Sequence, residues 1–593
     1  MRYKKPITGP WTLGSQPPAS SKKLLEFIKM SKFIHYPDRP KKLTAEFAKK
    51  EYQKLLERLP DAEGSTKPDL WLKLFADWNA LESYIGSEAG RISYNYSKDM
   101  SDRRLELAER YIREKISVVI DKPGFRLTKA FLASKHRNAL SDRYGTILPD
   151  QYELWLEPLN PVNTALGIKT GNLAVEYEKM VAEAIVEVGG EKINLSKARS
   201  LWLSPDGKLR EEAYRAVGDW FLGSHQKTAS IYSAMVSHRH QMGINLGYKN
   251  FIPLAYKIRG RMGYGVEDVA DFRSLIKKHV VPAFRRVLKE RAKLLGQKTI
   301  KPWDLLYDPR VDMPLGSAPI DQQLDNAQKV FESLSPVLAD HFKNMRRGGL
   351  IDLENRPNKQ AGAYCTQFSD EERVVVFCNS TGDADDIRVL VHEMGHAFQS
   401  WESQKIEAVE LQMGSAELAE IYSMGMEFLS LPHSNEFFGT AESKKFTRQK
   451  WIDSLYSLCY ICVVDEFQHW VYQNPKSKNT ARDEKWIEIY TKYLPEVSFS
   501  GIEKYAKTRW YLQRHIFIAP FYYIDYALAE VIAIQLAMLA AEDPKKTIRK
   551  YLALCKVGGT KSFLQTVNYS GLKSPFNAKL IVELVAYANK QLD

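Results

Sequence analysis

The sequence predicts a mainly α-helical fold, and three observations predict it. Apolar residues recur at three- and four-residue spacing through most of the 593 residues, turn signals separate those runs, and strand-like text is scarce. Hydrophobic residues make up 44% of the chain and charged residues 26%, with 31 Tyr, 25 Phe and 12 Trp available for burial. That composition excludes general disorder and supplies enough chain for two or more structural units.

Taken in order, the elements begin with "MRYKKPITGPWTLGSQPPAS", which has no apolar core of signal-peptide length and is broken by four prolines. Of the net charge of +13, the first fifty residues carry +9, from 12 Lys or Arg against 3 acidic residues. No nucleic-acid module accompanies this charge, so a solvated, lysine-rich helical face is expected there. "LTAEFAKKEYQKLLERL" (43–59), "RRLELAERYIREKISVVI" (103–120) and "DVADFRSLIKKHVVPAFRRVLKERAKLL" (268–295) are amphipathic. The turn "SPDG" at 204–207 precedes a further helical run, "KLREEAYRAVGDWFLGSH". An N-terminal helical domain over 1–200 and a larger unit over 201–593 are expected. The clearest strand is "RVVVFCNS", 373–380.

The longest apolar run, "YALAEVIAIQLAMLAA", contains Glu530 and Gln535 and falls short of a membrane span. Five cysteines in so long a chain agree with a reducing compartment, so a cytoplasmic protein is expected. Cys459 and Cys462 form a lone CxxC in apolar helical text and read as core. His238 and His240, two apart, are a poor pair for one metal, His433 beside Pro432 reads as a turn, and "WDLLYDP" at 303–309 reads as an anchored loop.

The chemistry concentrates in "VHEMGHAFQS", 391–400. On a helix, His392 and His396 lie one turn apart on one face and can offer two imidazoles to one metal ion. Glu393 is rotated away but within reach of a water on that ion, from which a carboxylate can take a proton; this is the logic of HExxH. The preceding "GDADDIRVLV" supports a helix, with Asp385 and Asp386 at its N-cap or first turn and Ile387, Leu390, Val391 and Met394 as apolar contacts. A catalytic zinc site needs a third protein ligand. A histidine ten residues after His392 is excluded, because position 402 is Glu and position 399, where that pattern needs Gly, is Gln. A glutamate from a second helix is the alternative, and "SAELAEIYSMGMEFLS" (415–430) offers Glu417, Glu420 and Glu427. Spacing does not choose among them.

Taken together, these segments resemble the thimet oligopeptidase and oligoendopeptidase F family of zinc metallopeptidases, most closely the oligoendopeptidase F and Pz-peptidase branch. The resemblance rests on HExGH with Gly395, on "EIYSMGME" beginning 24 residues after His396, on "RRGGLIDLENRPNKQAGAYC" (346–365), and on "RHIFIAPFYYIDYALAEV" (514–531). It covers the chain from about residue 200 onward; the last segment lacks the glycine-rich spacing of the thimet branch. It implies a bilobed, helical zincin-type fold with a small active-site sheet and a deep central cleft. It implies one Zn²⁺ per chain held by His392, His396 and Glu420, with Glu393 as the base assisting attack by metal-bound water. His515, Tyr522, Tyr523 and Tyr526 would contact substrate or the developing oxyanion; Tyr526 matches the family's tyrosine position, while Tyr522 and Tyr523 stay unresolved.

The expected activity is endopeptidase cleavage of short oligopeptides, by a monomer or small homo-oligomer that binds neither nucleic acid nor membrane. The strand at 373–380 is expected to offer an exposed edge for peptide addition. Mn²⁺ or Co²⁺ could replace zinc in such a ligand set. Competing readings are a catalytically silent peptide-binding protein, a basic nucleic-acid or membrane-surface protein with a fortuitous HExxH, and a dipeptide-releasing zinc exopeptidase. The last needs a charged group that holds a peptide terminus, and none is identifiable in the sequence.

Overall fold

Helices form nearly every element of the chain, and their boundaries follow from local chemistry. The computed structural model describes residue 40 and residues 42–311, 318–360, 362–371, 373–380 and 382–593. Most of the basic first fifty residues therefore lie outside the described residues. Thr44 caps Ala45–Gly64 by accepting from the Phe47 N–H, and Asp206 caps Gly207–Gly223 through Lys208 and Leu209. The 268–295 run breaks into Val266–Leu275 and Val281–Leu294 around a π-turn at Ile276–Val280. Pro282 explains the break, since it has no N–H to donate into the preceding turn.

Among the described residues two large hydrophobic cores divide the chain into lobes, and a small third cluster of Tyr94, Phe368, Val375 and Phe377 joins them. One joins Leu43 through Tyr152 and also takes in Ala408 and Leu411. The other runs from Tyr177 to Leu592 and contains the Asp385–Ser403 helix. The amino-terminal lobe is tied to the larger one at several points. Arg91 makes a two-pronged ion pair with Asp370 at 2.9 and 3.0 Å, and the Asn79 side chain both donates to Glu407 O and accepts from Val409 N. Tyr94 packs edge-on against Phe368 and Phe377 of the sheet.

A three-stranded sheet lies beside the Asp385–Ser403 helix, and it corrects one expectation. Arg373–Phe377 is the central strand, paired in parallel with Ile351–Asp352 and antiparallel with Tyr364–Phe368. Both of its sides are occupied, with Cys378 N and Ser380 N continuing the ladder to Asp352 O and Leu353 O, so it offers no edge to a peptide. Among the described residues the unpaired edge nearest the helix belongs to Tyr364–Phe368. A second sheet, the hairpin Ile185–Val188 with Glu191–Asn194, turns through Gly189 and Gly190 at φ 61° and 77°.

Other local expectations fall where the sequence puts them. Cys459 and Cys462 are fully buried in Asn435–Gln473, and all five cysteines are unpaired. His433 ends a 3₁₀ turn, and the 303–309 loop is anchored by buried Arg210–Asp304 and by Arg310–Asp308 ion pairs. Among the described residues one helix, Ile524–Glu542, is apolar and long enough to cross a membrane. Its side chains from Ile524 to Leu536 are almost all buried against the protein's own helices, which is the position of a core helix.

Candidate metal centre and active site

Asp385–Ser403 carries the HExxH residues, with Asp385 and Asp386 in its first turn and Ala384 at its N-cap. The Gly382 N–H is satisfied by Asp386 at 2.8 Å. Ile387, Leu390, Val391 and Met394 are buried, which fixes the helix's rotation and leaves His392 and His396 on a face that is 18% and 22% exposed. The second helix, Ala416–Ser430, crosses at very close range. A Cβ on Gly395 would stand 2.5 Å from Tyr422 O and 2.6 Å from Ser423 Cα, so the residue between Glu393 and His396 that faces this helix has to be glycine.

That contact decides among the three glutamates. Glu420 turns toward the imidazoles: its Oε2 lies 3.5 Å from His392 Nε2 and 3.8 Å from His396 Nε2. Glu427, two turns on, passes behind His392 and meets its Nδ1 at 2.6 Å. Glu417 is buried elsewhere and accepts from the Tyr264 hydroxyl. Ligand atoms of His392, His396 and Glu420 all fall within 4.8 Å of one another, a grouping with no counterpart among the described residues. Two imidazoles and one carboxylate converging so closely fit a divalent ion with an open coordination position. The Glu427 contact adds to the fit, because a partner on Nδ1 leaves Nε2 for the ion.

The electrostatics are those of a buried, charge-rich site. Burial pushes His396 down to about 3, with the His392 charge adding, so its imidazole is neutral and able to act as a ligand. Burial also opposes charge on His392, but the hydrogen bond and negative charge of Glu427 outweigh it and raise its pKa. Glu427 is held far below the usual carboxylate range despite burial, chiefly by Lys450 at 3.0 Å. Glu393 is 6% exposed, and its Oε2 is buried without a hydrogen-bond partner. Burial lifts it to about 7, opposed by His392 and reinforced by Glu420.

The aromatic segment closes the other side. His515, Tyr522, Tyr523 and Tyr526 form one cluster, with the His515 ring 4.7 Å from Tyr523 and 6.0 Å from Tyr522, and Tyr522 5.2 Å from Tyr526. Of the unresolved pair, Tyr522 meets the centre, donating its hydroxyl to Glu420 Oε1 at 3.0 Å. Tyr523 turns toward His515 and Tyr460. Backbone geometry sets this choice: Phe521 has φ 63°, its N–H donates to Gln468 and its carbonyl accepts from Arg261. Burial and the Glu420 charge push Tyr522 well above the ordinary phenol value, so its proton stays available for donation.

Lys450 and Arg259 are site residues that the sequence reading missed. Lys450 comes from the Asn435–Gln473 helix and Arg259 from the turn that ends Ile252–Ile258, both distant in sequence and without a motif of their own. Arg259 lies over the Tyr522 ring, 5.6 Å from its centre.

A helical bilobed fold, a small sheet with an antiparallel edge strand and a His–His–Glu trio define a zincin-type architecture. The chain belongs to peptidase family M3: residues 200–585 match the model for Peptidase family M3 and residues 40–157 match the Peptidase M3 N-terminal domain. It is similar to the oligoendopeptidase F homologue of Borreliella burgdorferi, 23% identical over 383 residues and 62% of each chain, and to that of Mycoplasma genitalium, 24% identical over 53% of each. The matched regions thus span between half and two thirds of these relatives. Among solved structures it resembles Pz peptidase A bound to an inhibitor, at TM-score 0.86 and 29% identity, covering 94% of this chain and 98% of that one. A structure described as an oligoendopeptidase F matches at TM-score 0.86 and 30% identity with the same coverage.

Proposed function

We propose that this chain is a zinc-dependent endopeptidase that hydrolyses internal bonds of short oligopeptides. The observation that carries the reading is the convergence of His392, His396 and Glu420 within 4.8 Å, with the buried Glu393 carboxylate on the same helix. One ion held by that trio would supply Lewis-acid polarisation of a carbonyl and of water. The Glu393 carboxylate, buried beside that trio, can take a proton from the attacking water, hold it at the carboxylate and pass it to the leaving amine. The Tyr522 hydroxyl, with Tyr526 and His515 beside it, would donate to an oxyanion on exchanging its bond to Glu420; the 3.0 Å contact to Glu420 supports this reading.

Substrate class follows from access. Glu393 and Glu420 are each 6% exposed, which favours a flexible peptide over a folded protein surface. The edge strand Tyr364–Phe368 can bind a peptide through its backbone, so side-chain selectivity would be broad. The presence of Glu393 favours an enzyme over a silent binder, as do relatives that are peptidases by name. Five unpaired cysteines support a reducing, cytoplasmic location.

The test is cleavage of an internally quenched ten-residue peptide by wild type and by Glu393→Gln, with the metal content of both measured. The reading expects internal cleavage, one zinc per chain in both proteins, and a loss of roughly 10²–10⁴-fold in the variant. A variant that cleaves like wild type, or a wild type without metal, would overturn it.

A further inference from the structure

Two arginines of the larger lobe stand side by side without an acidic partner. Arg199 lies in the short helix Leu195–Ser200, and Arg509 opens the 3₁₀ turn Arg509–Leu512. They share one indole, with their guanidinium carbons 5.9 and 5.8 Å from the centre of the Trp202 ring. Arg509 also stands 5.4 Å from the centre of the Tyr460 ring. Among the described residues neither guanidinium makes an ion pair or a hydrogen bond. The titratable groups acting most strongly on them are tyrosines, Tyr456 and Tyr460 in both cases, and for Arg199 also Arg509; no carboxylate is among these. Other arginines of this lobe carry their own acid, as Arg210 carries Asp304 and Arg261 carries Asp525. Two adjacent cations repel, and ring faces offset only part of that cost, so the pair favours an incoming anion.

The surroundings of the pair are those of a recess. Arg199 is exposed, yet lost hydration and the Arg509 charge both lower its pKa, which is the behaviour of a group enclosed by protein on several sides. The Trp202 indole N–H and the Tyr460 hydroxyl, on the two rings that Arg509 covers, are buried without a partner. Donors without acceptors thus collect at this point of the fold.

Contiguous rings connect the recess to the chemistry. Tyr460 stacks on Tyr456 at 5.5 Å and meets Tyr523 edge-on at 6.4 Å, and Tyr523 is 4.7 Å from His515. Both guanidinium charges act on Tyr456 and Tyr523, whose side chains are only half-buried. From Tyr522 to Arg509 this path is on the order of 20 Å, the span of about six extended residues. We propose that Arg199 and Arg509 form a specificity subsite for an acidic side chain, aspartate or glutamate, of a peptide whose scissile bond lies several residues away at the His392–His396–Glu420 centre. Two planar guanidiniums can grip one carboxylate from two sides, and the Trp202 and Tyr460 rings orient them. Because Arg199 is open to solvent, the peptide can run on past the pair, and the group read there is a side chain rather than a chain end. This inference rests on the proposed peptidase function and adds to it a preference for acidic peptides.

The test measures binding, so it does not depend on turnover. Zinc-loaded Glu393→Gln is titrated with fluorescent decapeptides blocked by acetyl and amide groups, so that neither end is charged. Each peptide carries one glutamate, or glutamine as its reference, at a position moved stepwise along the chain. At one or two positions the glutamate peptide is expected to bind roughly tenfold or more tightly than its glutamine reference. That ratio should fall to about one when Arg509→Gln is added, fall less with Arg199→Gln, and recover in part with Arg509→Lys. Each protein serves as its own reference, so a general loss of folding would weaken both peptides and leave the ratio readable. A ratio near one at every position, or a ratio that survives both glutamine substitutions, would overturn the proposal. So would an Arg509-dependent gain from a free C-terminal acid in place of glutamate, since the pair would then hold a chain end. If no peptide binds and wild type cleaves none, the peptidase reading itself fails.

Discussion

Glu427 Oε1 meets His392 Nδ1 at 2.6 Å, on the side of the imidazole away from Glu420. The carboxylate is in turn held by Lys450 at 3.0 Å, so the orientation of His392 is set through a two-step chain. Replacing Glu427 by Gln should weaken zinc affinity by about 10–100-fold while leaving all three ligands present. Competition with a chelator of known affinity measures this directly. Zinc affinity equal to wild type would show that the contact does not orient the ligand.

Gly395 is where two helices touch. A methyl group there would stand 2.5 Å from Tyr422 O, a backbone atom that moves only if the helix carrying Glu420 moves. Gly395→Ala should destabilise the protein by about 1–3 kcal/mol through overpacking and should also lower zinc affinity by displacing Glu420. Urea unfolding and zinc titration on the same sample separate the two effects. A variant with normal stability and normal zinc binding would contradict the packing argument.

Tyr522 and Tyr523 are neighbours with different expected roles. Tyr522→Phe removes the hydroxyl that reaches Glu420, and should lower kcat on the order of 10²-fold with a smaller change in KM. Tyr523→Phe, whose ring packs toward His515 and Tyr460, should stay within a few-fold of wild type. Steady-state kinetics on one quenched peptide decides, and equal losses in both variants would sink the distinction.

Glu410 gives a pH-dependent stability. The loop carrying it, between the two ligand-bearing helices, inserts into the amino-terminal lobe, where Tyr152 donates to its Oε1 at 2.7 Å and Oε2 is buried without a partner. Burial raises its pKa from 4.5 to about 7, opposed by the Tyr152 bond. A carboxyl whose pKa is raised in the folded chain binds more protons folded than unfolded between those values. Its contribution is therefore fully present below pH 4.5 and is lost as pH rises through 7. Glu410→Gln should be more stable than wild type at pH 8 by on the order of 2–3 kcal/mol, with little difference at pH 4.5. Urea midpoints at the two pH values test this, and an identical offset at both would remove Glu410 as the cause.

Much of the site was legible because its information is local. The four-residue spacing of His392 and His396, the acidic first turn and the buried positions 387, 390, 391 and 394 all follow from one helical period. The hairpin at 185–194 was equally local and was missed, although Gly189–Gly190 between two short β-prone runs is a turn signal. The strand at 373–377 is legible in the sequence but its central position is not, because its parallel neighbour Ile351–Asp352 is two residues long and leaves no periodic trace.

By itself, then, the sequence determined a helical chain, a pair of imidazoles with a carboxylate beside them, and a family resemblance. The resemblance already implies Glu420 as the third ligand, and the structure turns it toward the imidazoles; tertiary structure alone decided that Glu427 stands behind His392, that Tyr522 rather than Tyr523 meets Glu420, and that Arg259 stands over Tyr522. The physical reason is the same in each case. A helical period specifies which residues share a face, but the direction in which that face points depends on contacts made across the fold. Here Gly395 against the Tyr422–Ser423 backbone sets the rotation of one helix, and the Phe521 turn held by Gln468 and Arg261 sets the entry to another.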